Sequence, residues 1–294
     1  MNTNKQNGHK FSQMIPGKET NMVYLSEKLQ SDERCIKTSM ALLEVLDQHS
    51  VKYQFLKATK DIWCRDYMPI QIEKNKFVQF RYEPSYLKDD LELQSDTIEV
   101  CKANRIEPKF SKINLDGGNV VNWSDRAIIS DRVFTENPEY SSKTKLITEL
   151  EKLLEVEIIV IPQINSEMTG HADGLVRFVD RNTLLGNDRE QEYKYWKNGI
   201  NKVLKENGLD YIDIPFLNHK EKKCSDHAIG CYVNYLEIGD LIVLPIFETK
   251  DNKDKEVYDK FQQIFPDRKV EIINYNEAGY FGGLLNCTTW TIKN

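Results

Sequence analysis

From Met22 onward, short runs rich in β-branched and aromatic residues alternate with longer stretches whose apolar residues recur every three or four positions. "MVYL", "VKYQFL" and "FVQFRY" predict strands near the N-terminal side. Between the first two, "SDERCIKTSMALLEVLDQHS" predicts a helix with Ser31 as N-cap. Its apolar face holds Ile36, Met40 and Leu43, widened by Leu42 and Leu46. A second helical stretch is expected around Leu91 to Cys101, followed by strands at "KFSKINL", "NVVNW" and "RAIIS". Pro138 is placed to start a third helix, with Leu146, Leu150, Leu153 and Leu154 on its apolar side, leading into the strand "EIIVI". The alternation continues through "GLVRFV", a polar helix over 188–206, strands at "GCYVNYLEIG" and "LIVLPIF", a helix from Lys253 to Phe265, and "KVEII".

This order predicts an α/β fold of repeating β-β-α-β units. Loops with chemical character fall at Asp66, Asp116, His171, Asn234 and Cys287. They recur at intervals of roughly 50 to 65 residues, the mark of a radial or stacked architecture. Residues 1–12 are polar and are expected to form a disordered tail, leaving 13–294 as one domain.

Composition narrows the function classes. The chain has 294 residues, with 40 Lys and Arg against 46 Asp and Glu, for a formal charge of −6. No basic stripe is present to neutralise phosphates or dock on anionic lipid, so neither nucleic acid nor membrane is expected as a partner. The opening residues lack the apolar core of a signal peptide, and no run approaches a membrane span, so a cytoplasmic location is expected. The six cysteines are irregularly spaced, and in a reducing compartment they should be free thiols.

Four stretches carry chemistry. "WCRDYMPIQ" puts Trp63, Arg65 and Asp66 next to a chain-breaking Pro69; an ordinary surface ion pair would read the same way in isolation. "LDGGNVVNW" sets Asp116 before two glycines, making Asp116 and Asn119 candidates for substrate binding, although Asp-Gly also starts hairpins. In "TGHADGLVRFVD", His171 and Asp173 stand two apart at the head of an apolar strand, so both would face one space. In "GGLLNC", Gly282 and Gly283 would open a path to Cys287, for which His171 could act as base. A further cluster, His219, Cys224, His227 and Cys231, uses zinc-binding residue types at a spacing that matches no common zinc motif.

In their order, "WCRD", "LDGGN", "TGHADGLVRFV", "CYVNYLEIGDLIVLPIF" and "GGLLNC" resemble the agmatine deiminase and Porphyromonas-type peptidyl-arginine deiminase family. The resemblance runs from residue 63 to the C-terminal end. It implies a pentein fold, a five-unit α/β propeller, and a cysteine hydrolase using neither metal nor organic cofactor. By position, Cys287 would be the nucleophile, His171 the general acid and base, and Asp66 and Asp173 the carboxylates gripping a guanidinium, with Trp63 lining the pocket. The implied reaction converts agmatine to N-carbamoylputrescine and ammonia through a thiouronium on Cys287, in putrescine biosynthesis. The expected partner is a small cationic guanidino compound, and a homo-oligomer is compatible with these residues.

Deimination of peptidyl-arginine or another guanidino compound, amidino transfer, a silent binding protein and a zinc-stabilised binding module are the alternatives. The chain departs from the family's pattern at Asn286, where histidine is usual, at Asp116, where glutamate is common, and in lacking a tryptophan-rich N-terminal segment.

Overall fold

The computed structural model describes residues 13–217 and 227–294. The expected tail therefore lies outside the described residues. Strands β1 (Met22–Ser26) and β2 (Lys52–Leu56) pair in parallel across the helix Ile36–Gln48. Next, β3 (Ile70–Glu73) forms a hairpin with β4 (Lys76–Arg81), which pairs in parallel with β5 (Lys109–Asn114) across the helix Thr97–Ala103. The same pattern of hairpin and crossover repeats twice. It uses β6 (Val121–Asn122), β7 (Arg126–Ser130) and β8 (Glu157–Ile161), then β9 (Val176–Phe178), β10 (Thr183–Asn187) and β11 (Asp210–Ile214). A fourth set follows with β12 (Leu236–Ile238), β13 (Leu241–Ile246) and β14 (Lys269–Asn274).

The first sheet is completed from the other end of the chain. β15 (Thr289–Ile292) pairs antiparallel with β1, so that Met22 faces Ile292 and Leu25 faces Thr289. Among the described residues there are thus five three-stranded sheets, each with one antiparallel and one parallel pairing. The α/β expectation and the repeating unit both hold.

Neighbouring sheets share apolar layers. β7 is buried on both faces: Ala127 and Ile129 join a cluster with Val78, Ile113 and Leu150, while Ile128 joins one with Val176, Leu184 and Trp196. Successive side chains on a strand point to opposite faces, so one strand serves two cores.

Several local expectations need correction. The first long helix begins after Cys35, and Ser31 ends a separate short turn, Lys28–Ser31. Its buried face is Leu42, Val45 and Leu46, whereas Ile36 and Met40 are exposed. Pro138 lies in a loop; the third helix spans Lys143–Leu154 and is capped by Ser142, whose side chain accepts from the Lys145 amide. Only Leu236–Ile238 of 230–239 is strand, because Gly230 adopts φ +94° and the Asn234 amide turns back to the Cys231 carbonyl.

Trp290 locks the closing strand. It is 2% exposed, donates from Nε1 to the Pro69 carbonyl at 2.8 Å, and packs against Tyr24 and Phe77. Trp290→Ala should therefore cost about 3–5 kcal/mol in urea unfolding, while Ile98→Ala, at an exposed helix position, should stay within about 0.5 kcal/mol. Equal losses would contradict this account of the closure.

Candidate active site

The chemically marked residues occupy equivalent places in the five sheets. Asp66, Asp116, Asp173, Asn234 and Cys287 each lie just upstream of the strand that opens a hairpin or, for Cys287, of the closing strand β15. Trp63 precedes a single turn, Cys64–Tyr67, which is anchored to the end of the chain. The Cys64 thiol donates to the Thr288 carbonyl at 3.2 Å, the Arg65 amide to the Cys287 carbonyl at 3.0 Å, and Arg65 Nε to the Asn286 carbonyl at 3.2 Å. Asp66 is then held by the Gly118 amide, 3.0 Å from its Oδ1.

Gly118 has to be glycine. A Cβ there would sit 2.5 Å from Asp66 Oδ1 and 2.7 Å from His171 Nδ1. A Cβ at Gly283 would fall 2.5 Å from the Trp63 ring, so the glycine permits that ring to lie against the Cys287 segment.

His171 is 6% exposed. Its Nε2 is 2.8 Å from Asp116 Oδ2, and its Nδ1 is 3.5 Å from Asp66 Oδ1. The Tyr86 hydroxyl also donates to Asp116 Oδ2, at 2.9 Å. Asp173 Oδ2 accepts from Asn286 Nδ2 at 2.6 Å and lies 3.9 Å from the Cys287 sulfur. Asn234 Oδ1 accepts from the Asn286 and Cys287 amides and is 3.5 Å from the same sulfur. The spatial convergence of Cys287, His171, Asp66 and Asp173 is present.

These side chains border a cavity of about 650 Å³. Asp61, Asp66, Asp90, Glu167, Asp173 and Glu192 line it; among the described residues no lysine or arginine does. Burial alone would lower the His171 pKa, but Asp66, Asp116 and Asp173 outweigh it and hold the imidazolium to about 9. Burial, reinforced by Asp173 and Asp66, pushes the Cys287 thiol well above its ordinary range. Burial likewise raises Asp66, with His171 opposing and Asp116 and Asp173 adding to it. A permanently charged cation placed among these groups would relieve both the carboxylates and the thiol.

Some expectations about the site change. His171 and Asp173 do not share a strand face; they flank and enter a tight helical turn, Ala172–Gly174, ahead of β9. Asn119 is not at the cavity: its Oδ1 accepts from the Ser130 and Ala172 amides, so it positions the His171 turn. Asp116 is likewise absent from the cavity wall and binds the far nitrogen of His171. Within the proposed zinc cluster, His219 and Cys224 lie outside the described residues. His227 and Cys231 line the cavity, and Cys231 donates to the Gly174 carbonyl at 3.3 Å. Among the described residues no group of three or more His, Cys, Asp and Glu could hold a metal ion. Sequence reasoning marked Asn234 through the repeat but not its contacts, and it missed Tyr86 and the placement of Asp61, since nothing in the local spacing of those two signals chemistry.

A family model for Porphyromonas-type peptidyl-arginine deiminase matches residues 5–292. The chain belongs to that family. Curated relatives include a putative agmatine deiminase of Streptococcus mutans, 37% identical over 83 residues (28% of this chain, 20% of the relative). Another, from Latilactobacillus sakei, is 23% identical over 208 residues, 61% of this chain and 55% of the relative. The chain thus spans about half or less of the length of these relatives.

Among solved structures, C. jejuni agmatine deiminase superposes with a TM-score of 0.79 over 97% of both chains at 18% identity. The putative arginine deiminase of Porphyromonas gingivalis gives 0.75, also at 18% identity, covering 95% of this chain and 97% of its own. The chain shares their fold.

The cluster makes a direct prediction by histidine NMR. His171 should titrate near pH 9, and Asp116→Asn, which removes one of the charges that hold its proton, should lower the midpoint by about one unit or more. An upward shift would contradict the assignment.

Proposed function

We propose that the chain is a guanidine deiminase that hydrolyses agmatine to N-carbamoylputrescine and ammonia. We further infer that residues 13–294 form one catalytic domain whose five sheets are the blades of a pentein propeller. The observation that carries the functional reading is the meeting of Cys287, His171, Asp66 and Asp173 in an acid-lined cavity.

A guanidinium is planar, permanently charged and forked, and carboxylates match it edge-on. Asp66 and Asp173 would hold it flat beside the sulfur. Its charge offsets the two acids that burden the thiol, so binding favours the thiolate. Attack of the thiolate on the central carbon gives a tetrahedral adduct. The imidazolium of His171 donates a proton to the departing nitrogen; ammonia leaves and a thiouronium remains on sulfur. The now neutral His171 takes a proton from water, which adds to the same carbon. Collapse expels the thiolate, the hydroxyl proton passes to solvent or to the released ammonia, and the neutral ureido product is left. Fixing the resonance-stabilised carbon within reach of sulfur can contribute on the order of 7 kcal/mol or more.

The cavity favours a substrate without a carboxylate. Free arginine would bring its anionic end among the six acids that line the cavity. Agmatine brings a second cation instead.

Ammonia release should therefore be at least about a hundredfold more efficient (kcat/KM) with agmatine than with arginine. Cys287→Ala should reduce turnover at least about a thousandfold while leaving the urea midpoint nearly unchanged. Retained turnover in that variant would overturn the mechanism. Because the acid must be protonated, kcat at saturating agmatine, where the bound cation favours the thiolate, should fall above about pH 9 as His171 loses its proton. A value still rising beyond that pH would remove His171 from the acid's role.

A further inference from the structure

Asp61 lies in the cavity wall and plays no part in the chemistry above. It is 8% exposed, and its main chain is pinned: its carbonyl accepts from Ser26 Oγ at 2.6 Å and from the Tyr67 hydroxyl at 3.2 Å. Oδ1 accepts from the Trp63 amide at 2.9 Å. Among the described residues Oδ2 has no hydrogen-bond partner, and no lysine, arginine or histidine pairs with this carboxyl. A buried carboxyl held rigidly with one open oxygen on a cavity is an acceptor awaiting a donor.

Its position suits one end of a substrate whose other end is at Cys287. The Trp63 ring lies against Gly283, which also adjoins Cys287, while the Trp63 amide is bound to Asp61, so Trp63 reaches from Asp61 to the Cys287 segment. Tyr82, also lining the cavity and 4% exposed, feels the charge of Asp61 as well as that of Asp116 and Asp66. Aromatic rings beside a carboxylate form an environment suited to an ammonium.

We propose that Asp61 is a specificity-determining residue that binds the substrate's non-reacting ammonium through its open oxygen, while Asp66 and Asp173 hold the guanidinium. This rests on the deiminase reading above. It deepens it by assigning the residue that favours diamine-like guanidines over simple alkylguanidines. Burial raises the Asp61 carboxyl to about 7, with the Trp63 amide opposing, and an arriving ammonium would stabilise its charged form.

The test compares agmatine with butylguanidine, which keeps the four-carbon stem and lacks the amine. Asp61→Asn preserves the acceptor for the Trp63 amide and removes the charge. The ratio of kcat/KM for agmatine to that for butylguanidine should fall at least about tenfold in the variant, chiefly through KM for agmatine. An unchanged ratio would overturn the proposal, even if both rates fell together.

Calorimetry in the Cys287→Ala background separates this from the parent reading. There, Asp61→Asn should weaken agmatine binding about tenfold and leave butylguanidine binding nearly unchanged. That result supports Asp61 even if the wild type releases no ammonia, which would refute only the deiminase reading. Equal agmatine binding with and without Asp61 would overturn the assignment.

Discussion

The pairing of β15 with β1 is the contact on which the rest of this architecture depends. It joins the two ends of the described chain in one sheet and places Cys287 directly before the closing strand. Closing so long a loop is entropically costly, though the cost grows only slowly with length. The ladder is accordingly reinforced by the buried Trp290 and by the contacts of Cys64 and Arg65 with Thr288 and Cys287. Those last contacts matter doubly, because the turn that anchors the seam also carries Asp66. The contacts that join the terminal strands also set the Asp66 turn against the Cys287 segment.

The electrostatics at the centre work against stability. Three aspartates surround one imidazole, and further acids line the cavity wall. Gathering like charges in a buried site destabilises the fold, and functional sites commonly carry such a load. Gly118 shows how tightly the group is held: its amide supports Asp66 in the space where a side chain would collide with His171. Asn119 contributes from outside the cavity by bridging the Ser130 strand to the His171 turn. The same compression that costs stability fixes the positions of these acids around His171.

Much of this was legible in the chain. The alternation of β-rich and helical runs marked most elements, and the residues at Asp66, Asp116, His171, Asn234 and Cys287 marked the repeat. Burial patterns were less legible. Of the expected apolar face, Leu42 and Leu46 are buried, together with Val45, while Ile36 and Met40 are exposed, a choice made by tertiary packing. His171 and Asp173 do reach one space, but through a tight turn that periodicity cannot foresee. Asp61 and Tyr86 carry no local signal: each matters because of what a distant segment leaves open beside it.

Two of this chain's departures from its family's pattern, those at Asp116 and Asn286, are best understood together. At Asp116 the acid is one methylene shorter than the usual glutamate, and the Tyr86 hydroxyl donates to the same oxygen that binds His171. At Asn286 a neutral amide occupies the usual histidine position and donates to Asp173, the acid nearest the sulfur. A histidine there could add positive charge at low pH, whereas an amide cannot. His171 pairs with Asp66 and Asp116, and Asn286 with Asp173. In this chain Asp116 is held between Tyr86 and His171 away from the cavity wall, Asp173 lies between Asn286 and the sulfur, and Asp66 meets both His171 and the cavity.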